Sequence, residues 1–150
     1  MRAVIQRVEY AAVTINGKEK SAIKNGLLIL LGIEESDNTE DVNWLCSKIS
    51  KIRIFNDDNG LMNLSLSETN GEIMVISQFT LHASTKKGNR PSFIKAAKPE
   101  TAIPLYREFI NRLSREYGKE VRTGEFGAMM KISLINDGPV TIIMDTKNRE

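Results

Sequence analysis

Histidine and cysteine each occur once, as His82 and Cys46. A lone cysteine excludes an intramolecular disulfide and fits a reducing compartment. One of each is also too few for a zinc centre of Cys and His ligands, which needs three or four of them. Long apolar runs are missing too. The longest, Gly26 to Ile33, has eight residues, far short of the roughly 20 that cross a bilayer as a helix. Met1 to Tyr10 alternates charged and apolar residues where a secretory signal would be continuously apolar. A cytoplasmic protein without membrane attachment is expected. No glycine-rich loop joins a predicted strand to a helix, so dinucleotide and P-loop binding have no support. Carboxylates are not paired for acid–base work either, since Asp57-Asp58 belongs to a predicted turn and Glu34-Glu35 to a strand end.

The 150 residues fit one domain spanning 1–150, large enough to bury a full core. A content of 41% hydrophobic and 27% charged residues is that of a soluble globular chain. The net charge of +2 says little, but its distribution is uneven. From His82 to Pro99 there are Lys86, Lys87, Arg90, Lys95 and Lys98 and no acid, so the rest of the chain is net acidic.

Val4 to Ile15 is rich in β-branched residues and ends at Asn16-Gly17, which predicts a hairpin with a type I′ turn. Leu27 to Leu31 is apolar without alternation and reads as a central strand covered on both faces. Val42, Leu45, Ile49 and Ile52 form one stripe of a helix over 39–52, with Glu40 and Asp41 in its first turn and Lys48 and Lys51 in its last. Asn59-Gly60 marks a second hairpin, and Asn70-Gly71 introduces a strand from Glu72 to Leu81. The segment Ala83 to Glu100 reads as a long exposed loop. A second helix follows, with Thr101 as N-cap, Pro104 in its first turn, Leu105, Phe109 and Leu113 inward, and Gly118 past its end. Two strands, Ala128 to Ile135 and Val140 to Asp145, close the chain. The expected class is α+β: mainly antiparallel, barrel-like sheets with two principal helices packed outside.

What chemistry remains rests on hydroxyls and backbone. Cys46 lies on the helix stripe and reads as a small buried apolar residue. His82 could serve as a base by type, but nothing local supplies the positioned carboxylate of a Ser-His-Asp arrangement, so a structural or surface role is expected. Three segments carry a signal, each with a plainer alternative. Ser77-Gln78-Phe79-Thr80-Leu81 turns polar after the apolar Ile73 to Ile76, either as a cleft-facing strand end or simply as a strand leaving the core. Gly88-Asn89-Arg90-Pro91-Ser92-Phe93 is a phosphate-contacting loop with Phe93 as a stacking surface, or a solvated loop. Asn136-Asp137-Gly138-Pro139-Val140-Thr141 is at its plainest a hairpin turn. X-Pro bonds are cis in only about 5–6% of folded cases, so spacing alone does not point to a cis bond there.

Together, in this order and spacing, SQFTL at 77–81, GNRPSF at 88–93 and NDGPVT at 136–141 resemble the D-aminoacyl-tRNA deacylases. The opening MRAVIQRV and TGEFGAMM at 123–130 are also similar to that family, so the resemblance covers nearly the whole chain. It implies a homodimer that hydrolyses the ester between a D-amino acid, or glycine, and the terminal adenosine of tRNA, without a cofactor. It implies catalytic positions at Ser77, Gln78, Phe79 and Thr80, a pocket bordered by Phe126, Met130 and Asn136, and a cis Gly138-Pro139 pair that reaches into the partner's site and rejects L substrates. Tyrosyl-tRNA charged with the D enantiomer is the family's named substrate.

In that setting the basic loop residues Lys86, Lys87 and Arg90 would contact acceptor-stem phosphates, and no DNA partner is implied. Backbone amides around Phe79 and Thr80 are candidate oxyanion donors. Thr80 as nucleophile would need an adjacent base, and none is evident; the favoured alternative uses the vicinal 2′-hydroxyl of the RNA to help activate water. Two rival readings stay open, a non-catalytic RNA-binding module and a small-molecule esterase or amidase with a threonine nucleophile.

Overall fold

The computed structural model describes residues 1–150. The opening hairpin forms as expected: β1 (Arg2–Ile15) turns through Asn16 and Gly17, both at positive φ, into β2 (Lys18–Ile23). β3 (Gly26–Gly32) pairs antiparallel with the first half of β1, and β2 with the second half. Along its other edge β1 carries β8 (Lys131–Asp145), from Arg2↔Asp145 to Thr14↔Lys131. β6 (Glu72–Ser77) lies parallel beside β3, and the two-residue β7 (Arg122–Thr123) parallel beside β6. The sheet is therefore mixed, and it curls into a barrel-like shape with two helices outside, the predicted class.

β3 explains why its sequence does not alternate. Leu27, Ile29 and Leu31 enter the larger core, shared with both helices, while Leu28 faces a smaller one with Val8, Val13, Met74 and Ile76. Helix α1 (Thr39–Ile49) buries Val42, Leu45, Cys46 and Ile49 and is capped by Asn38, whose side chain accepts from the Glu40 amide at 2.8 Å while the Asp41 carboxylate accepts from the Asn38 amide at 3.0 Å. It ends three residues before Ile52, where three-residue turns at Lys51 and Ile52 tighten the chain. A small hairpin of β4 (Phe55–Asn56) and β5 (Met62–Leu64) follows.

Three expectations need correction. Helix α2 (Pro99–Tyr117) starts two residues before Thr101, because Pro99 suits a first turn whose amides have no helical partner. Thr101 donates its hydroxyl to Glu35 (2.9 Å) instead of capping, and Pro104 falls inside the helix. Ala102, Tyr106, Phe109, Leu113 and Tyr117 are its buried stripe, Leu105 being only partly covered. Second, β6 stops at Ser77, and Phe79–His82 forms a single 3-10 turn. Third, the two expected closing strands are one, and residues 136–141 are absorbed as register shifts opposite Gln6, Val8 and Tyr10. The long β1 holds a partner on either side of the interruption.

The two chain ends meet. The Met1 α-ammonium is buried 2.5 Å from the Asp37 carboxylate and 2.6 Å from the Thr146 hydroxyl, with Lys147 reaching Asp41 at 2.7 Å. No helix is long and apolar enough to cross a membrane.

Candidate functional site

The carboxyl end of β6 positions the first motif. Ser77 is its last residue, and the Gln78 amide donates to the Leu31 carbonyl at 2.8 Å, so the chain stays pinned to β3 as it leaves the sheet. Gly32 permits this close approach: a Cβ there would lie 3.0 Å from the Gln78 carbonyl oxygen, Leu81 Cβ and His82 Cδ2. As the first amides of the 3-10 turn that follows, those of Phe79 and Thr80 have no partner within that turn. The Gln78 side-chain amide donates to the Thr80 hydroxyl. Whichever way that amide is oriented it is neutral, so Thr80 has no base beside it.

Ser77, Gln78 and Phe79 form one wall of a pocket of about 470 Å³, faced by Phe126, Met129 and Met130. No ionisable side chain lines it. Phe126 is backed by Tyr106, with ring centroids 5.7 Å apart, and Tyr106 is anchored by its hydroxyl on the Val75 carbonyl at 2.9 Å. Burial raises the Tyr106 phenol, which therefore stays neutral. Burial also pushes the Cys46 thiol up to about 12, in keeping with the structural role expected for it. His82 is buried behind the turn, outside the pocket lining. Its Nδ1 is 3.8 Å from Glu34, a carboxylate that sequence separation concealed, and its Nε2 has no partner.

The third motif lies apart. Gly138-Pro139 is a cis peptide, and none of Asn136, Gly138 and Pro139 lines the Ser77–Phe79 pocket within one chain. Asn136 donates weakly to the Val140 carbonyl at 3.4 Å and leaves its buried Oδ1 unpartnered. What holds this segment is Arg7, missed in the sequence reading. Its Nε pairs with the Asp137 carboxylate at 2.9 Å, and its Nη1 donates to the Ile54 carbonyl at 2.7 Å and Asn56 Oδ1 at 3.2 Å. Arg7 and Asp137 also border a separate polar cleft of about 810 Å³. A signal for Arg7 existed: it stands in phase with the inward-facing Ala3 and Ile5 of β1, where a charge requires partners.

Lys86, Lys87 and Arg90 are exposed and make no salt bridge. Their loop is closed at its base by paired bonds between Ser84 and Ser92, at 2.8 and 2.9 Å. Phe93, just past the closure, meets Phe79 edge to face with centroids 5.1 Å apart.

Residues 4–145 match the family model described as D-Tyr-tRNA(Tyr) deacylase. A D-aminoacyl-tRNA deacylase of Bacteroides fragilis is 67% identical over the full length of both chains, and one of Flavobacterium psychrophilum 65% over the same span. Among solved structures, the c-Myc DNA unwinding element binding protein superposes with a TM-score of 0.92 at 39% identity, covering 97% of this chain and 98% of its own. A protein described as a probable eukaryotic D-amino acid tRNA deacylase shares the fold at a TM-score of 0.82 and 16% identity, covering 95% of this chain and 97% of its own. With the family model matched over nearly all its length and such relatives aligned from end to end, this chain belongs to the D-Tyr-tRNA(Tyr) deacylase family.

Proposed function

We propose that the chain performs its family's reaction, hydrolysis of D-aminoacyl-tRNA, at the pocket walled by Ser77, Gln78 and Phe79, and that it does so without an ionisable side chain. The observation that carries this reading is the pair of amides at Phe79 and Thr80, which open the 3-10 turn with no partner inside it, beside an apolar pocket. Donors fixed in place before the reaction are suited to the oxyanion that develops when water attacks an ester carbonyl. Water adds to the carbonyl carbon, the bond to the ribose oxygen breaks, and that oxygen takes up a proton, leaving a free amino acid and tRNA. The neutral Gln78–Thr80 pair favours Thr80 as a positioning group over a nucleophile, since no neighbour can accept its proton. The adjacent 2′-hydroxyl of the RNA then orients the attacking water.

Discrimination between enantiomers is assigned to the Gly138-Pro139 turn of a partner subunit. Its carbonyls accept bonds from the substrate α-ammonium and crowd the place of an L side chain. Such a gate never reads the side chain itself, so many D-amino acids, and glycine, pass. A homodimer supplies the turn that a single chain leaves away from its own pocket. Supporting that assembly, the outer edge of β8 is unpaired and exposes Leu134, Ile135 and Ile143. Lys86, Lys87 and Arg90 hold the acceptor-stem phosphates, and the proposed setting is the cytoplasm.

Incubation with D-tyrosyl-tRNA and, separately, with a short activated ester lacking RNA tests the reading. Free D-tyrosine from the first and no hydrolysis of the second is expected. Turnover of the short ester alone would favour a threonine esterase, and binding of tRNA without release of amino acid would leave only an RNA-binding module.

A further inference from the structure

An apolar surface runs out of the pocket mouth from Phe79, and its outer part, Phe93 and Ile94, lines no part of the pocket. Phe79 is 57% exposed, Phe93 37% and Ile94 92%. Side chains of this size are ordinarily covered, and a contiguous exposed group of them marks a contact site. Phe79 both lines the pocket and packs its ring against Phe93, so the apolar surface continues directly out of the pocket mouth. The Ser84–Ser92 closure fixes Phe93 at the foot of the basic loop, and the window from His82 to Pro99 holds five basic residues and no acid. Aromatic rings joined to unpaired cations are the combination by which proteins hold single-stranded nucleic acid, bases stacking on rings while the backbone follows the positive charge.

We propose that Phe79, Phe93 and Ile94 form a stacking platform for the unpaired base that immediately precedes the terminal adenosine of tRNA. This rests on the reading of the pocket as the site of ester hydrolysis. A strand whose last nucleotide is in the pocket must leave past Phe79, and the next base meets Phe93 and Ile94 before the backbone reaches Lys86, Lys87 and Arg90. The platform adds affinity for any tRNA without reading its sequence, because every base has a stacking face. It also accounts for Phe93 and Ile94, large apolar side chains exposed outside the pocket at the foot of the basic loop.

The test compares two substrates, D-tyrosyl-tRNA and the minimal ester D-tyrosyl-adenosine, which lacks the preceding nucleotide. Phe93→Leu keeps apolar bulk and loses the ring. It is expected to lower kcat/KM on D-tyrosyl-tRNA on the order of ten-fold with less than about a two-fold change on the minimal ester, and Phe93→Trp restores the tRNA rate. A tRNA carrying the fluorescent base 2-aminopurine before the terminal adenosine should be quenched by the parent protein and not by Phe93→Leu. Equal losses on both substrates would overturn the proposal, as would undiminished quenching. Conversion of Phe93→Leu to a slower-associating or dissociated oligomer, read by sedimentation, would make the patch a subunit contact and overturn it too. If the parent protein hydrolyses neither substrate, the reading of the pocket fails first and the platform with it.

Discussion

Arg7 and Asp137 meet at 2.9 Å across the boundary between β1 and the interrupted middle of β8. Gly138 makes room for the contact, since a Cβ at that position would lie 2.9 Å from Arg7 Nη2. The same guanidinium holds the Ile54 carbonyl and Asn56, so one buried side chain ties the 136–141 segment to the loop before β4 and to β4 itself.

Replacing Arg7 with alanine leaves the buried Ile54 carbonyl without its donor, while Asn56, exposed on the polar cleft, can turn to water. A loss of about 1–3 kcal/mol is expected in urea unfolding, most of it from the Ile54 carbonyl, because Asn56 and Asp137 both reach solvent and the Asp137 charge is partly screened. Arg7→Lys keeps the charge but cannot span all three partners, and should fall between. Both variants should also narrow the preference for D- over L-tyrosyl-tRNA as the turn loosens. A folded Arg7→Ala protein with the parent's enantiomer ratio would separate this turn from chiral selection.

Thr80 has only the Gln78 amide as a side-chain partner. Thr80→Ala should therefore cost about ten-fold in kcat on D-tyrosyl-tRNA, the effect of a lost positioning group. A nucleophile would cost far more, on the order of ten-thousand-fold or beyond. Single-turnover rates on both proteins distinguish the two.

Lys86 and Lys87 make no salt bridge within the chain, so both are free to neutralise phosphates. The double alanine variant should bind tRNA more weakly and reduce the slope of log affinity against log salt by roughly one to two. Unchanged binding and slope would remove the loop from the RNA contact.

At Asp41, burial raises the carboxyl, but the Lys147 ammonium, the Thr146 hydroxyl and the Asn38 amide together outweigh it and hold the group below its usual range. The stability this provides is present above the unfolded value, about 4, and is lost as pH falls through the lower folded value. Lys147 is raised, first by its bond to Asp41, so its share persists below about pH 10 and fades above. Asp41→Asn should cost about 1–2 kcal/mol near neutral pH and unfold with a shallower acid limb. An acid limb identical to the parent's would contradict this.

Much of the fold was legible because local rules and tertiary packing agreed. Asn16-Gly17 turned the first hairpin, and the stripe Val42, Leu45 and Ile49 was the buried face of α1. Where they disagreed, a distant partner decided. Thr101 looked like a cap until Glu35, far away in sequence, took its hydroxyl. β8 stayed one strand through a proline because β1 pairs with it on both sides of the break. In the site, Ser77, Gln78, Phe79, Phe126 and Met130 could be placed from motifs and do border one pocket. Arg7 could not, since its partners at 54, 56 and 137 are joined only by the folded chain, and Glu34 beside His82 was hidden for the same reason.

The central claim is that fixed main-chain groups hydrolyse the ester and sense its handedness. The most direct measurement is the ratio of initial release rates from D-tyrosyl-tRNA and L-tyrosyl-tRNA under identical conditions. The account predicts a ratio of at least about a hundred in favour of the D substrate, the scale of a steric exclusion at a rigid gate. Equal rates, or faster release from the L substrate, would contradict it.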